Sequence, residues 1–255
     1  MSGVIILMAR TKSFLRIGTY CLLTLIIAII LPCNINGKNS KTIRVLFVRH
    51  GKTVANSEGR LVGSGGDSPL LASAKEDAQS LGEKLQKVNV DRMYVSEMGR
   101  ARETLKYICR GTKWKEEYTI LAELNDISWG DAEGYTGQEF MNLYGYEEMP
   151  DAFGDIHDKA YVSPINAETK YSFCNRFMKG VRDIIEESAD GETVLCVTHN
   201  SLTFWVEYVF DCKVSMDNLD IIELVYEKKE SRLYFQKENE VRCISYNGDI
   251  LENEE

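Results

Sequence analysis

Apolar residues recur along the chain in two spacings that alternate. Ile43 to Val48 (IRVLFV) is a short, continuous, β-branched run ending at Arg49-His50-Gly51, the pattern of a strand covered on both faces. Thr193 to Thr198 (TVLCVT) repeats it before His199-Asn200, and Arg92 to Val95 is a shorter version. Between these runs the period lengthens. Pro69 to Val88 carries a helical stripe of Leu70, Leu71, Ala74, Ala78, Leu81 and Leu85. Ser96 suits the N-cap of a helix reaching about Arg110. Glu168 to Ser188 turns Phe173, Phe177, Val181, Ile184 and Ile185 inward, and Leu202 to Phe210 forms a further helix. Leu219 to Tyr226 and Arg232 to Gln236 read as closing strands. Such alternation predicts an α/β fold, a three-layer α/β/α sandwich around a mostly parallel central sheet. Residues 41–251 then form one domain, without an internal repeat, followed by an acidic tail at 252–255.

The first forty residues differ. Ile17 to Leu31 is an uncharged apolar run of 15 residues behind Arg10, Lys12 and Arg16. A secretory h-region spans ~7–15 residues and a full membrane span needs ~20, so the run stands at the boundary. Counting Phe14, Leu15 and a snorkelling Arg16, residues 14–31 suffice for a short membrane helix. No small-residue cleavage site follows. Residues 1–40 are therefore read as an uncleaved anchor ahead of a cleaved signal, with an overlong start as the third reading. The expected placement is membrane-anchored or secreted, with the following domain outside the cytoplasm. Orientation is weakly specified, because Lys38, Lys41 and Arg44 offset the basic flank in front.

Charge narrows the partners. The chain of 255 residues holds 30 Lys+Arg against 39 Asp+Glu, a net charge of −9. Setting aside the three cations before residue 38 leaves 27 basic and 39 acidic residues, a net −12. Nucleic acid is a poor partner for such a body, because duplex affinity needs many phosphates neutralised. Any anionic ligand must instead be held by a local cluster of cations. The seven cysteines include no CxxC, which speaks against a zinc pattern, and Cys109, Cys174, Cys196, Cys212 and Cys243 read as small hydrophobes. Oligomeric state is not legible.

Two of the three histidines stand in equivalent places, His50 and His199 each just past an apolar strand. In a parallel sheet such positions converge on one crevice at the carboxyl ends of the strands. Arg49 ends the first strand and Arg100 opens the helix after the second. Two imidazoles and two forked guanidiniums at one sheet edge suit a phosphoryl group, which a neutral imidazole can attack. His157, in the loop Asp155-Ile156-His157-Asp158, has no partner motif and reads as a surface residue.

The local spelling is more specific. Val48-Arg49-His50-Gly51-Lys52-Thr53-Val54-Ala55-Asn56, followed by Arg60, Gly63 and Asp67-Ser68-Pro69-Leu70, resembles the opening of the histidine phosphatase superfamily, the phosphoglycerate mutase-like proteins. Ser96 to Thr104 is similar to that family's Ser-x-x-x-Arg-Ala-x-x-Thr element, and Leu124 to Gly134 to its Leu-x-Glu-x-x-x-Gly-x-x-Glu-Gly element. Val197-Thr198-His199-Asn200 matches its second strand-end histidine.

The resemblance implies a phosphomonoesterase in which His50 takes the phosphoryl group as a phosphohistidine. Arg49, Arg100 and His199 would hold its oxygens, with Thr53 and Asn56 at loop positions that contact phosphate and Arg60 a further candidate contact. It implies no metal and no cofactor. The family's general acid, normally Glu, aligns onto Asp126, with Glu123 as the competing candidate. Two rivals follow: a phosphoglycerate mutase-type transfer, and a membrane-tethered, catalytically weak module binding phosphorylated partners. Mutases resemble Glu-Arg-His-Tyr-Gly where this chain reads Asp126-Ile127-Ser128-Trp129-Gly130, which favours the phosphatase branch. A small phosphorylated molecule and a phosphoprotein both remain open as substrates. Selectivity is expected from about 131–170, where Tyr135, Tyr144, Tyr146, Phe153 and Tyr161 are interleaved with Glu147, Glu148, Asp151, Asp155 and Asp158.

Overall fold

The computed structural model describes residues 42–145, 152–238 and 240–246, within one compact unit spanning Gly37–Glu255. The chain runs β1 (Thr42–Arg49), α1 (Val54–Glu58), α2 (Ala72–Leu85), β2 (Arg92–Val95), α3 (Gly99–Arg110) and β3 (Thr119–Ile120). It continues through α4 (Gly137–Tyr144), α5 (Lys170–Glu187), β4 (Thr193–Thr198), α6 (Leu202–Phe210), β5 (Ile221–Glu227), β6 (Arg232–Lys237) and β7 (Glu240–Ser245). These strands form one sheet in the order β3-β2-β4-β1-β5-β6-β7. Its core, β3-β2-β4-β1, is parallel, while β5, β6 and β7 add antiparallel.

Each face of the sheet carries its own apolar layer. Leu46, Val48, Met93, Val95, Leu195 and Val197 meet α2 and α3 through Ala78, Ala101, Leu105 and Ile108. Val45, Phe47, Val194 and Cys196 on the other face meet Phe173, Phe177, Val181, Trp205 and Val206 of α5 and α6. Strands covered on both sides need no alternation, which is why the continuous apolar runs of β1 and β4 end up buried. The expected three-layer sandwich is thus the observed one. Gly82 permits a tight contact between α2 and α3, because a Cβ there would overlap the carbonyl oxygen of Ile108.

One register positions the chemistry. β1 and β4 pair with Arg49 opposite Thr198, and the His50 amide donates to the Thr198 carbonyl at 2.9 Å. The two following histidines therefore leave the sheet side by side.

Several boundaries differ from the sequence expectation. Helix α2 starts at Ala72 rather than Pro69, because Pro69–Leu71 is drawn into extended pairing: Val54 N–H donates to Pro69 O, and Leu71 N–H to Lys52 O. Helix α3 is preceded by Met98, not capped by Ser96, whose hydroxyl is engaged elsewhere. Strand β7 escapes notice because its residues are almost all exposed and so carry no apolar alternation. Of the cysteines, Cys109, Cys174, Cys196 and Cys212 are buried, while Cys243 is exposed on β7.

The anchored or secreted placement expected from the front of the chain is corrected. Among the described residues no helix is long and apolar enough to cross a membrane. The 18-residue α5 is interrupted by charges, and the apolar α6 has only nine residues. The run at 17–31 itself lies outside the described residues, as do Tyr146, Glu147, Glu148, Asp151 and the tail at 252–255.

Candidate active site

His50 is buried at the end of β1, and its Nδ1 lies 2.8 Å from the Gly51 carbonyl oxygen. A carbonyl can only accept, so Nδ1 carries the proton and Nε2 keeps the lone pair. The turn beneath is pinned by the Gly51 amide donating to Thr104 Oγ1 at 2.9 Å. Asn218 Nδ2 donates to the His50 carbonyl at 2.8 Å, holding the same peptide from the β5 side.

His199 is fully buried, with its ring centroid 5.1 Å from that of His50. Its Nε2 lies 2.7 Å from Ser96 Oγ, while its buried Nδ1 has no hydrogen-bond partner among the described residues and stands 3.5 Å from Asp126 Oδ2. Burial pushes both imidazoles well below their ordinary value. The facing His199 and then Arg100 add to this for His50, as do Arg100, Arg176 and Arg49 for His199. Both rings are therefore neutral at neutral pH.

The guanidiniums are held from behind. Arg49 Nη1 donates to the Met216 carbonyl at 2.5 Å, whereas its buried Nε has no partner among the described residues. Desolvation lowers its pKa, opposed by the neighbouring charges of Asp126, Asp217 and Asp220. Arg100 is buried and donates to the carbonyls of Gly66 and Gly63, both at 3.1 Å, and to Asp67 Oδ1 at 3.3 Å. Its Nη2 also pairs with Asp126 Oδ2 at 3.1 Å. The loop that wraps Arg100 is itself fastened by Glu133, which accepts from the amides of Gly63 (2.9 Å), Gly65 (3.1 Å) and Trp129 (3.1 Å).

Asp126 lies on an irregular segment that three elements grip. Thr198 Oγ1 donates to the Leu124 carbonyl at 2.9 Å from the end of β4. From α5, Arg176 donates to the carbonyls of Glu123, Asn125 and Asp126 at 2.9–3.0 Å, while its Nε and Nη2 also donate to Glu168. From α6, Ser201 Oγ donates to Asp126 Oδ1 at 2.6 Å. An open cavity of about 440 Å³ adjoins this segment, lined by Ser64, Asn125, Ser128, Asn166, Glu168 and Arg176 among others.

The candidates read from sequence thus separate. His50, His199, Arg49, Arg100 and Asp126 converge. Glu123 does not join them: its carboxylate pairs with Lys179 on α5, which lowers its pKa. Thr53 and Asn56 spend their side chains on each other, the Thr53 hydroxyl accepting from the Asn56 amide and Asn56 Oδ1 from the Thr53 amide, which caps α1. Arg60 is exposed, bound to Glu58 and to the Gly134 carbonyl. His157 is exposed, its ring against Tyr208. Asp67, Thr104 and Glu133 stand inside the quoted motifs without a role read from them, and Ser96 was read only as a helix cap. Arg176, Ser201 and Asn218 left no sequence signal, since each acts on a peptide or carboxylate distant along the chain.

Known proteins resemble this chain. Residues 45–234 match the profile described as Histidine phosphatase superfamily (branch 1). The chain is 27% identical over 160 residues to the adenosylcobalamin/alpha-ribazole phosphatase of Escherichia coli strain K12, covering 63% of this chain and 75% of that one. It is 35% identical over 90 residues to the fructose-2,6-bisphosphatase TIGAR of Xenopus laevis, covering 34% of this chain and only 33% of that one. Among solved structures, the phosphoglycerate mutase of Bacillus anthracis strain Sterne superposes with a TM-score of 0.62 at 25% identity, over 83% of this chain and 95% of that one.

Proposed function

The chain belongs to the histidine phosphatase superfamily, and from that premise we propose that it is a phosphomonoesterase working through a phosphohistidine on His50. One observation carries the reading. The free Nε2 of His50 shares a buried site with two donors that have no partner, Arg49 Nε and His199 Nδ1. Buried donors without acceptors are costly, and phosphoryl oxygens would satisfy both. With the His199 proton on Nδ1, facing phosphate, Nε2 accepts from the Ser96 hydroxyl, an arrangement their 2.7 Å separation supports.

The reaction then has two steps. The His50 Nε2 lone pair forms a bond to phosphorus as the ester P–O bond breaks, and Asp126 gives its proton to the departing oxygen. A water next attacks phosphorus, the N–P bond breaks, and the proton of that water passes to Asp126. Arg49, Arg100 and His199 neutralise the charge on the equatorial oxygens throughout. The position of Asp126 at the site, with Glu123 turned to Lys179, supports Asp126 as the acid.

The adenosylcobalamin/alpha-ribazole phosphatase relative supports a small phosphoester as the substrate class. Relatives named as phosphatases weigh against the binding-module rival. A mutase is the remaining alternative, and its name is carried by the Bacillus anthracis neighbour.

Purified full-length chain, assayed with p-nitrophenyl phosphate in the presence of a chelator, tests the proposal. Turnover lost in His50→Ala, with acid-labile phosphate trapped on the parent enzyme, is the expected result. Equal turnover in both proteins overturns it, and efficient interconversion of 2- and 3-phosphoglycerate assigns the mutase instead.

A further inference from the structure

Helix α6 begins after Ser201, a residue type whose usual task at that place is to cap. Ser201 does not cap. Its backbone is helical (φ −58, ψ −17), and its hydroxyl makes no capping bond. Instead the buried hydroxyl reaches Asp126 Oδ1 at 2.6 Å, and the Ile127 amide donates to the same oxygen at 3.0 Å. The other oxygen, Oδ2, faces Arg100 Nη2 at 3.1 Å and His199 Nδ1 at 3.5 Å. The two carboxylate oxygens therefore differ in their partners: Oδ1 is held by groups outside the phosphate clamp, whereas Oδ2 faces Arg100 and His199, the groups suited to turn to phosphoryl oxygens.

We propose that Ser201 is a positioning residue that reserves Asp126 Oδ2 for proton transfer. Oδ1 keeps its hydroxyl and amide donors whatever is bound, whereas Arg100 and His199 give their hydrogen bonds to a bound phosphoryl group, so in the substrate complex Oδ2 is the oxygen left to carry the acid's proton. Ser201 also restricts rotation of a carboxylate that is one methylene shorter than the family's usual glutamate. Holding the shorter arm at a single angle keeps its proton within reach of the departing oxygen, where displacement of about 1 Å is costly. Because this proposal rests on the phosphatase reading and on Asp126 as the acid, its test separates the three.

The readout is the ratio of kcat/KM for an alkyl phosphate, glycerol 2-phosphate, to that for p-nitrophenyl phosphate, measured on full-length protein. An alkoxide cannot leave without a proton, whereas p-nitrophenolate departs as an anion, so only the first substrate needs a well-placed acid. An inactive fraction of a poorly folded variant lowers both rates alike and cancels in the ratio. The ratio is expected to fall about tenfold or more in Ser201→Ala, to fall at least as far in Asp126→Asn, and to hold in Ser201→Thr, which retains the hydroxyl. A fall in Asp126→Asn with no change in Ser201→Ala overturns the role of Ser201 alone. No change in Asp126→Asn overturns the acid and Ser201 together. Parent protein that hydrolyses neither ester, or does so equally well as His50→Ala, overturns the phosphatase reading and this inference with it.

Discussion

Arg100 Nη2 and Asp126 Oδ2 stand 3.1 Å apart in a pair whose guanidinium side is almost fully buried. The group suited to clamp phosphate and the group suited to protonate the leaving oxygen are thus in direct contact, and a change in either is felt by both.

The fork of Arg100 is expected to be irreplaceable by a single ammonium. Arg100→Lys keeps the charge but cannot reach Asp126 while also serving the carbonyls of Gly63 and Gly66. A fall of about 10²–10³ in kcat/KM is expected. Unfolding in urea should show a loss of ~1–3 kcal/mol for the stranded carbonyls. Activity within threefold of the parent would show that the fork is not used.

Asp126 and Glu123 are separated by their partners. Glu123→Gln removes only a surface pair with Lys179 and should change kcat/KM for an alkyl phosphate by less than about twofold. Asp126→Asn should lower it by about 10²–10⁴. Steady-state kinetics on the two variants decides the assignment, and the opposite order would reassign the acid.

Stability should fall on mild acidification because of the two buried imidazoles. Burial holds both well below the ordinary value near 6.5, so below that pH the unfolded chain takes up protons that the folded chain refuses. The stabilisation is full above the unfolded value and is lost as pH falls through it, at up to ~1.4 kcal/mol per pH unit for each histidine. Denaturant titrations between pH 7.5 and 5 measure the slope, which should shrink in His50→Asn and His199→Asn. An unaltered slope in both variants contradicts the burial argument. By the same sign, activity that depends on neutral His50 should persist below pH 6.5.

Thr53 and Asn56 should report on stability. Each closes one half of the capping box of α1, so Thr53→Ala is expected to cost about 0.5–2 kcal/mol in urea unfolding. Arg60→Ala, which removes an exposed pair with Glu58, should leave kcat/KM for p-nitrophenyl phosphate within about twofold. A large loss of activity in Arg60→Ala would restore that residue to the substrate site.

Much of this protein follows from local pattern. Doubly buried strands announce themselves as unbroken apolar runs, and helices as stripes at three and four residues. A motif such as Arg49-His50-Gly51 keeps its chemistry within a few adjacent positions. Hence the layers, the parallel core of the sheet, and the pairing of His50 with His199 are legible in the sequence. Segments with weak periodicity are not. The exposed β7 has no buried face to pattern, and the start of α2 was shifted by strand-like pairing with residues from an earlier turn.

The site divides along the same line. That Arg49, His50, Arg100, Asp126 and His199 belong together was readable from the order and spelling of four motifs. That Glu123 looks away to Lys179, that Thr53 and Asn56 cap one another, and that Ser201 and Arg176 grip the acid segment was not. Those facts depend on side-chain direction and on contacts across tens of residues. Such contacts are set by how β4, α5 and α6 pack around the segment, and spacing along one strand or helix carries no record of them.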